Sequence, residues 1–248
     1  MAVLPHEGTF AIMYGPLPVP VGSGYRPGYL TRPDEAGLFP VVIVIPGLGG
    51  LNSHIKDLCR RLARQGIAAL SVDVYGAEYG TGDTLGAYAS RADREVLTDL
   101  DEAYDFLQSD DVPWAIRERA GLLGIDVGGR FGLVLAATRP WAASTAVVST
   151  PLTGDEERGF QVAGLLDHLP VPVLGLYGAA DDLVAAETVD EAQNRNSSGQ
   201  WLLYDGAGHD FMDDDSSAYH AAAAGDAFMR LVGFFRSTLP AAQIEDLG

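Results

Sequence analysis

The chain has 248 residues and carries 16 basic against 34 acidic side chains, which gives a formal net charge of −18. Such a charge repels phosphate backbones and anionic lipid surfaces, so we expect neither a nucleic acid nor a membrane as partner. Hydrophobic residues make up 47% of the chain and charged residues 20%. This composition is typical of a globular protein with a substantial core and excludes a mainly disordered chain.

The single cysteine, Cys59, cannot form a disulfide within the chain, so nothing favours an oxidising compartment. The N-terminal segment has no basic stretch followed by an apolar run, and about 18 uninterrupted apolar residues occur nowhere. We therefore expect a soluble, cytoplasmic protein that is a monomer or a homodimer.

The elements in chain order begin with a region rich in glycine and proline, residues 1–40, which suits antiparallel strands and an entry hairpin. Residues 41–45 are apolar on both faces and largely β-branched, which predicts a buried strand. Further strand-like and helix-like segments then alternate without a linker. This alternation predicts one α/β domain over residues 1–248, with a mainly parallel sheet covered by helices on both faces.

The alternating segments follow two different periods. Apolar positions spaced as on one face of a helix predict amphipathic helices, and short apolar runs between turn signals predict buried strands. The predicted helices lie near residues 55–62, 96–107 and 228–235, and the predicted strands near 67–72, 121–125, 146–148, 171–177 and 201–204.

Two segments, residues 76–90 and 150–168, fit neither period. Functional residues concentrate on the connections of such sheets, so we interpret both segments as lids or loops beside a site. The alternative is that they are plain surface insertions.

A tight turn is predicted at residues 124–129, which are Gly-Ile-Asp-Val-Gly-Gly between a buried strand and an alanine-rich helical segment. In a nucleophile elbow the chain turns so sharply from strand to helix that the flanking positions must be small, which exposes the central side chain above the sheet. Asp126 holds that central position. The structural alternative is that Asp126 is simply the N-cap of the helix.

Two later segments supply the partners that an elbow nucleophile needs. Asp181 follows the strand that ends near residue 177, and His209 follows the last predicted strand. The chain order is therefore elbow, acid and histidine, as in α/β-hydrolases. Asp182 is the alternative acid.

These landmarks together resemble the dienelactone hydrolase family over roughly residues 28–236. The resemblance rests on residues 46–52 after the first central strand, Asp73-Val-Tyr75, the elbow, Gly178-x-x-Asp181 and Gly208-His209-Asp-Phe211. It implies an α/β-hydrolase fold in which Asp181 is the triad acid and His209 the triad base. It also implies that the backbone amides of Leu48 and Val127 form the oxyanion hole.

The chain departs from that family at four positions. The family carries its nucleophilic cysteine at the place of Asp126 and an activating glutamate at the place of Gly47. Its substrate-binding arginines correspond here to Ala77 and Asp213. A substrate carboxylate would therefore meet no cation and a nearby negative charge, so we expect a small, uncharged or weakly polar substrate.

A carboxylate at the elbow suits attack on a saturated carbon, with water activated by His209 then hydrolysing the resulting ester. Asp126, His209 and Asp181 would cleave an epoxide or ester-type C–O bond in this way. Tyr75, Tyr79 or Tyr177 could donate a proton to the leaving oxygen, and the alternative is that these tyrosines simply pack in the core. Phe211 is a further candidate for the pocket. Dehalogenation is disfavoured, because such enzymes commonly place a tryptophan where this chain has Val127.

Two alternatives remain open. In the first, Asp126 and His209 act as a general base in a lyase of natural-product metabolism, which eliminates a carboxylate or ester group. In the second, the chain is a noncatalytic binding protein with an inherited fold.

The other potential ligands or nucleophiles have simpler interpretations. His6, His54, His168 and His220 have no partners at metal-ligand spacing and are interpreted as surface or capping residues. The acidic run 213–215 is interpreted as a solvated loop, and Cys59 as a core residue. We therefore predict no metal and no cofactor.

Overall fold

A computed structural model of the chain describes residues 8–22, 24–75, 84–153 and 162–245. The strands of these residues are β1 (Ile12–Val21), β2 (Gly24–Pro33), β3 (Gly37–Leu38), β4 (Val41–Ile45), β5 (Ala68–Val72), β6 (Ala120–Ile125), β7 (Ala142–Val148), β8 (Val173–Gly178), β9 (Gln200–Tyr204) and β10 (Gln243–Ile244). The helices are α1 (Ser53–Arg64), α2 (Thr84–Ser90), α3 (Asp93–Leu107), α4 (Gly128–Thr138), α5 (Ala186–Arg195) and α6 (Ala221–Thr238), with a 3-10 helix at Ala163–His168.

Eight strands form the main sheet in the order β1-β2-β5-β4-β6-β7-β8-β9. The strands from β5 to β9 in that order run parallel, whereas β1 and β2 form an antiparallel hairpin at one edge. β3 and β10 pair separately in a small second sheet. The predicted mainly parallel sheet is confirmed, and the entry hairpin lies within the predicted residues.

Helices cover both faces of the sheet, as predicted. Ile55 and Leu58 of α1 share one apolar cluster with Phe228 of α6. On the other face α3 and α4 share a second cluster, and α5 packs in a third beside α4. β4 to β8 are almost wholly buried because helices cover them on both sides, which explains their continuous apolar sequences.

The two segments predicted as loops contain some helical structure. Residues 84–90 of the first segment form α2, and Tyr88 of this helix is buried, so the prediction of an irregular loop is wrong there. Residues 163–168 of the second form the 3-10 helix. Residues 76–83 and 154–161 lie outside the described part of the chain, so the role of either segment as a lid stays a prediction.

No helix among the described residues is long and apolar enough to span a bilayer.

The turn between β6 and α4 depends on three closely packed glycines. A Cβ atom at Gly128 would lie 2.4 Å from the carbonyl oxygens of Ile45 and Pro46. A Cβ atom at Gly124 would lie 2.2 Å from the Cα atom of Gly129. Because these neighbours are backbone atoms, they cannot move aside, and only glycine permits the turn.

We expect Gly128→Ala to lower the free energy of unfolding by about 3 kcal/mol, because the added methyl group overlaps the backbone of the adjacent strand end. Gly233→Ala is the matched control: Gly233 is exposed in α6, and its added Cβ atom would meet nothing within 4 Å. The control should raise stability by about 0.5–1 kcal/mol. Urea unfolding curves measure both, and equal effects of the two substitutions would contradict the steric account of the elbow.

Candidate active site

Asp126 lies at the tip of the turn between β6 and α4, as predicted. Its backbone φ of 49° is in the left-handed region, which costs on the order of 1–3 kcal/mol for a residue with a side chain and is held here by the surrounding structure. The Asp126 amide donates to the carbonyl of Val148 at 2.9 Å. The N-cap of α4 is Val127, so the alternative interpretation of Asp126 as the helix cap is wrong.

Asp181 lies just beyond β8, and its side chain is fully buried. Its carboxylate accepts from the amides of Leu183 at 2.8 Å and Val184 at 3.0 Å, and lies 2.9 Å from Nδ1 of His209. Burial acts to raise the pKa of Asp181, but the hydrogen bonds from His209 and the two amides outweigh it and lower the pKa. Asp181, rather than the alternative Asp182, therefore fixes the imidazole.

His209 follows β9 and lies between two carboxylates. Its Nδ1 faces Asp181, and its Nε2 is 3.5 Å from Oδ1 of Asp126. Burial alone would lower the pKa of His209, but hydrogen bonds and charge from Asp126 and Asp181 raise it to about 10. At neutral pH the ring is thus an imidazolium that donates to both sides. The Ser149 hydroxyl donates to the carbonyl of His209.

The second oxygen of the Asp126 carboxylate points to the predicted oxyanion hole. Oδ2 lies 3.4 Å from the amide nitrogen of Leu48, so this amide faces the Asp126 carboxylate, and its role in an oxyanion hole stays a prediction. A Cβ atom at Gly47 would lie 2.8 Å from Cβ and 2.9 Å from Oδ2 of Asp126. A side chain at position 47 would therefore displace the carboxylate. Val127 follows Asp126 at the start of α4, and its role as the second amide stays a prediction.

A cavity of about 80 Å³ opens beside these groups. Its described wall consists of Gly47, Leu48, Gly49, Gly50, Asn52, His54, Ile55, Ile125, Asp126, Val148, Ser149, His209, Asp210, Met212 and Asp213. Such a volume suits a small substrate. Three of the wall residues are aspartates, and Asp181 lies behind the wall, bonded to His209. The charge at the wall is consistent with the expected selection against anionic substrates.

The aromatic pocket candidates are placed differently from the prediction. Tyr75, Tyr177 and Phe211 are buried in the core and are not part of the described cavity wall. The Tyr75 hydroxyl donates to the carbonyl of Pro46 at 3.1 Å, so this ring braces the end of β4. Contact of these three residues with a substrate stays a prediction, and their burial agrees with the alternative that large rings pack in the core. Tyr79 lies outside the described residues.

His54 lines the cavity, although the sequence interpretation treated it as a surface or capping residue. It lies in the first turn of α1, two residues after the helix cap Asn52, whose side chain accepts from the Ile55 amide. The sequence contained a signal for this placement. The predicted helix that carries His54 starts after the carboxyl end of a parallel strand, where the sites of open α/β sheets form.

The acidic run brings ligand atoms of Asp213, Asp214 and Asp215 within 4.8 Å of one another. Asp214 and Asp215 are exposed, whereas Asp213 contributes to the cavity wall. The interpretation of the run as a solvated loop stays a prediction.

The fold and the site together define an α/β-hydrolase: a sharp strand-to-helix turn carries Asp126, and a histidine bonded to Asp181 follows the last strand of the main sheet. A family model described as "Dienelactone hydrolase family" matches residues 27–239. The chain belongs to the dienelactone hydrolase family. It is a hydrolase of the α/β-hydrolase type, and a small-molecule substrate fits that class.

Individual relatives agree with this assignment. A protein of Escherichia coli O157:H7 named "Putative carboxymethylenebutenolidase" is 33% identical over 245 residues, which cover 91% of this chain and 88% of that protein. A Bradyrhizobium protein named "Probable 2-oxo-3-(5-oxofuran-2-ylidene)propanoate lactonase" is 30% identical, with 85% of this chain and 89% of that protein covered. The crystal structure of a "Putative Dienelactone Hydrolase" from Klebsiella pneumoniae superposes with a TM-score of 0.82 at 28% identity, covering 91% of this chain and 99% of that chain.

We expect Asp126→Asn to lower the pKa of His209 from about 10, because the substitution removes one of the two carboxylates that stabilise the imidazolium. The stabilisation that the charged ring gives the fold is present below pH 6.5 and is lost as the pH rises through about 10. An NMR titration of the imidazole protons measures the shift. Asp210→Asn, which removes a cavity carboxylate not bonded to the ring, is the control, and an equal shift in both variants would contradict the assignment.

Proposed function

We propose that this hydrolase cleaves a C–O bond at a saturated carbon of a small, uncharged or weakly polar molecule, through a covalent ester on Asp126. The observation that carries the proposal is the contact between His209 and the carboxylate of Asp126, whose backbone is left-handed. The other ring nitrogen of His209 is bonded to buried Asp181. The three groups are arranged as nucleophile, base and orienting acid.

The chemistry of a carboxylate decides which carbon it can attack. Attack of Asp126 on an acyl carbon would form an anhydride, which is less stable than the ester consumed. Attack on a saturated carbon forms an ordinary alkyl ester, which activated water can hydrolyse. Epoxides, and lactones or esters opened at a saturated alkyl carbon, fit this requirement.

The charge of Asp126 also supports the order of the steps. In the resting site this charge helps to keep His209 protonated, so the ring is not yet a base. Formation of the ester neutralises Asp126, and the pKa of His209 must then fall. Once the ring has lost its proton, it can activate water against the ester carbonyl, whose developing oxyanion faces the Leu48 amide.

Single turnover of glycidamide, an uncharged epoxide, in heavy-oxygen water tests this pathway. We expect one heavy oxygen in the Asp126 peptide, because water attacks the carbonyl of the enzyme ester. His209→Gln should instead accumulate a stable adduct whose mass increase equals one glycidamide, since the second step lacks its base. Peptide mass spectrometry measures both.

The control is Asp126→Asn, which should form no adduct at that peptide. Turnover without label in the wild-type Asp126 carboxylate, and without adduct in His209→Gln, would contradict the covalent pathway. That result would instead agree with elimination by general-base catalysis.

The acidic wall predicts a preference between two matched probes. We expect glycidate, the anionic counterpart of glycidamide, to have a much higher KM than glycidamide, because Asp213 and Asp210 line the cavity. Asp213→Asn should reduce the KM ratio of the two probes several-fold, and added salt should also reduce it. Steady-state kinetics measure the ratio, and a lower KM for glycidate in the wild type would contradict the expected substrate class.

A further inference from the structure

We propose that His54 is the general acid of the first step and gives its proton to the oxygen that leaves the carbon attacked by Asp126. This inference rests on the proposed function and narrows its substrate class to molecules whose leaving oxygen would otherwise depart as an alkoxide, above all epoxides. The sequence pattern assigned His54 no chemical role, and the proton donors that it suggested, Tyr75 and Tyr177, are buried outside the described cavity wall.

The direction of attack sets where such an acid must lie. Displacement at a saturated carbon proceeds in line, so the leaving oxygen lies on the far side of the carbon from the attacking carboxylate. His209 contacts Asp126 directly at 3.5 Å and is therefore on the near side. The proton has to come from another part of the cavity wall.

His54 suits this role better than the other polar groups of the described wall. The Asn52 side chain already caps α1, and the Ser149 hydroxyl donates to the His209 carbonyl. The side chains of Asp210 and Asp213 are carboxylates, which accept hydrogen bonds and do not donate them when ionised. Apart from His209, His54 is the imidazole in the described part of the wall.

The position of His54 is fixed by the fold. It lies in the first turn of α1, and its side chain is only 11% exposed. Nδ1 is 4.0 Å from Oδ1 of Asp213, which follows β9. At this distance the carboxylate acts on the ring through its charge and favours the protonated form.

The proposed step balances as follows. An oxygen of Asp126 forms a bond to the substrate carbon, and the C–O bond breaks with its electron pair remaining on oxygen. The proton of the His54 imidazolium passes to that oxygen, which leaves a hydroxyl group and a neutral His54. After water has cleaved the ester with the help of His209, His54 regains a proton from solvent.

The charges around His54 set the pH at which it can act. Burial lowers its pKa below the ordinary value of 6.5, while the surrounding carboxylates of Asp213, Asp214 and Asp57 act to raise it and Arg61 acts to lower it. The protonated form therefore diminishes as the pH rises through a value below 6.5. Ester formation from an epoxide should slow over the same range, and His54→Gln should remove this dependence.

Two alkylating probes separate the role of the acid from the role of the nucleophile. Glycidamide needs a proton on its departing oxygen, whereas methyl 4-nitrobenzenesulfonate releases a stable sulfonate that needs none. Both probes are applied to His209→Gln and to the double variant His54→Gln/His209→Gln, in which any ester on Asp126 accumulates. Peptide mass spectrometry measures the rate at which the adduct forms at Asp126.

We expect the His54 substitution to slow alkylation by glycidamide about 100-fold and to leave alkylation by the sulfonate within about twofold, because only the former needs the acid. The unchanged sulfonate rate also shows that the double variant is folded.

Equal slowing of both reactions, or of neither, would overturn the role of His54 and leave Asp126 as the nucleophile. Absence of an Asp126 adduct with both probes would overturn the proposed function itself.

Discussion

The site depends on one interaction, an imidazolium held between two carboxylates. Buried Asp181 fixes one ring nitrogen of His209 at 2.9 Å, and Asp126 faces the other at 3.5 Å. The parallel sheet makes this contact possible. The three residues follow β6, β8 and β9, whose carboxyl ends lie on the same side of the sheet. The left-handed turn at Asp126 places the elbow side chain 3.5 Å from the ring.

The aspartate at the elbow connects several features that otherwise look unrelated. Its side chain occupies the space where a side chain at Gly47 would lie, so this position of the carboxylate requires a glycine at position 47. Its charge raises the pKa of the neighbouring imidazole, which makes the state of His209 depend on whether the carboxylate is free or esterified. The cavity wall also contains Asp213, and the proposed selection against anionic substrates rests on this charge.

The sequence was sufficient for the sheet, the elbow and the triad, because each follows from local rules: apolar runs for buried strands, glycines for a tight turn, and a fixed chain order for the partners. It was insufficient where tertiary packing decides. Tyr177 and Phe211 look like pocket residues but fill the core, and His54 looks like a surface residue but lines the cavity. The second sheet of β3 and β10 joins two-residue strands too short to show a period.

The central claim concerns the protonation of His209. Two carboxylates stabilise its imidazolium in the resting site, and esterification of Asp126 removes one of them, so that the ring can act as a base. The most direct measurement is the rate at which the wild-type ester of Asp126 breaks down after a single turnover, followed as a function of pH. The account predicts that this rate rises with pH and reaches its plateau well below pH 10, because the esterified site has lost one of the two charges that hold the ring proton. A breakdown rate that rises only near pH 10, the pKa of His209 in the resting site, would contradict the account.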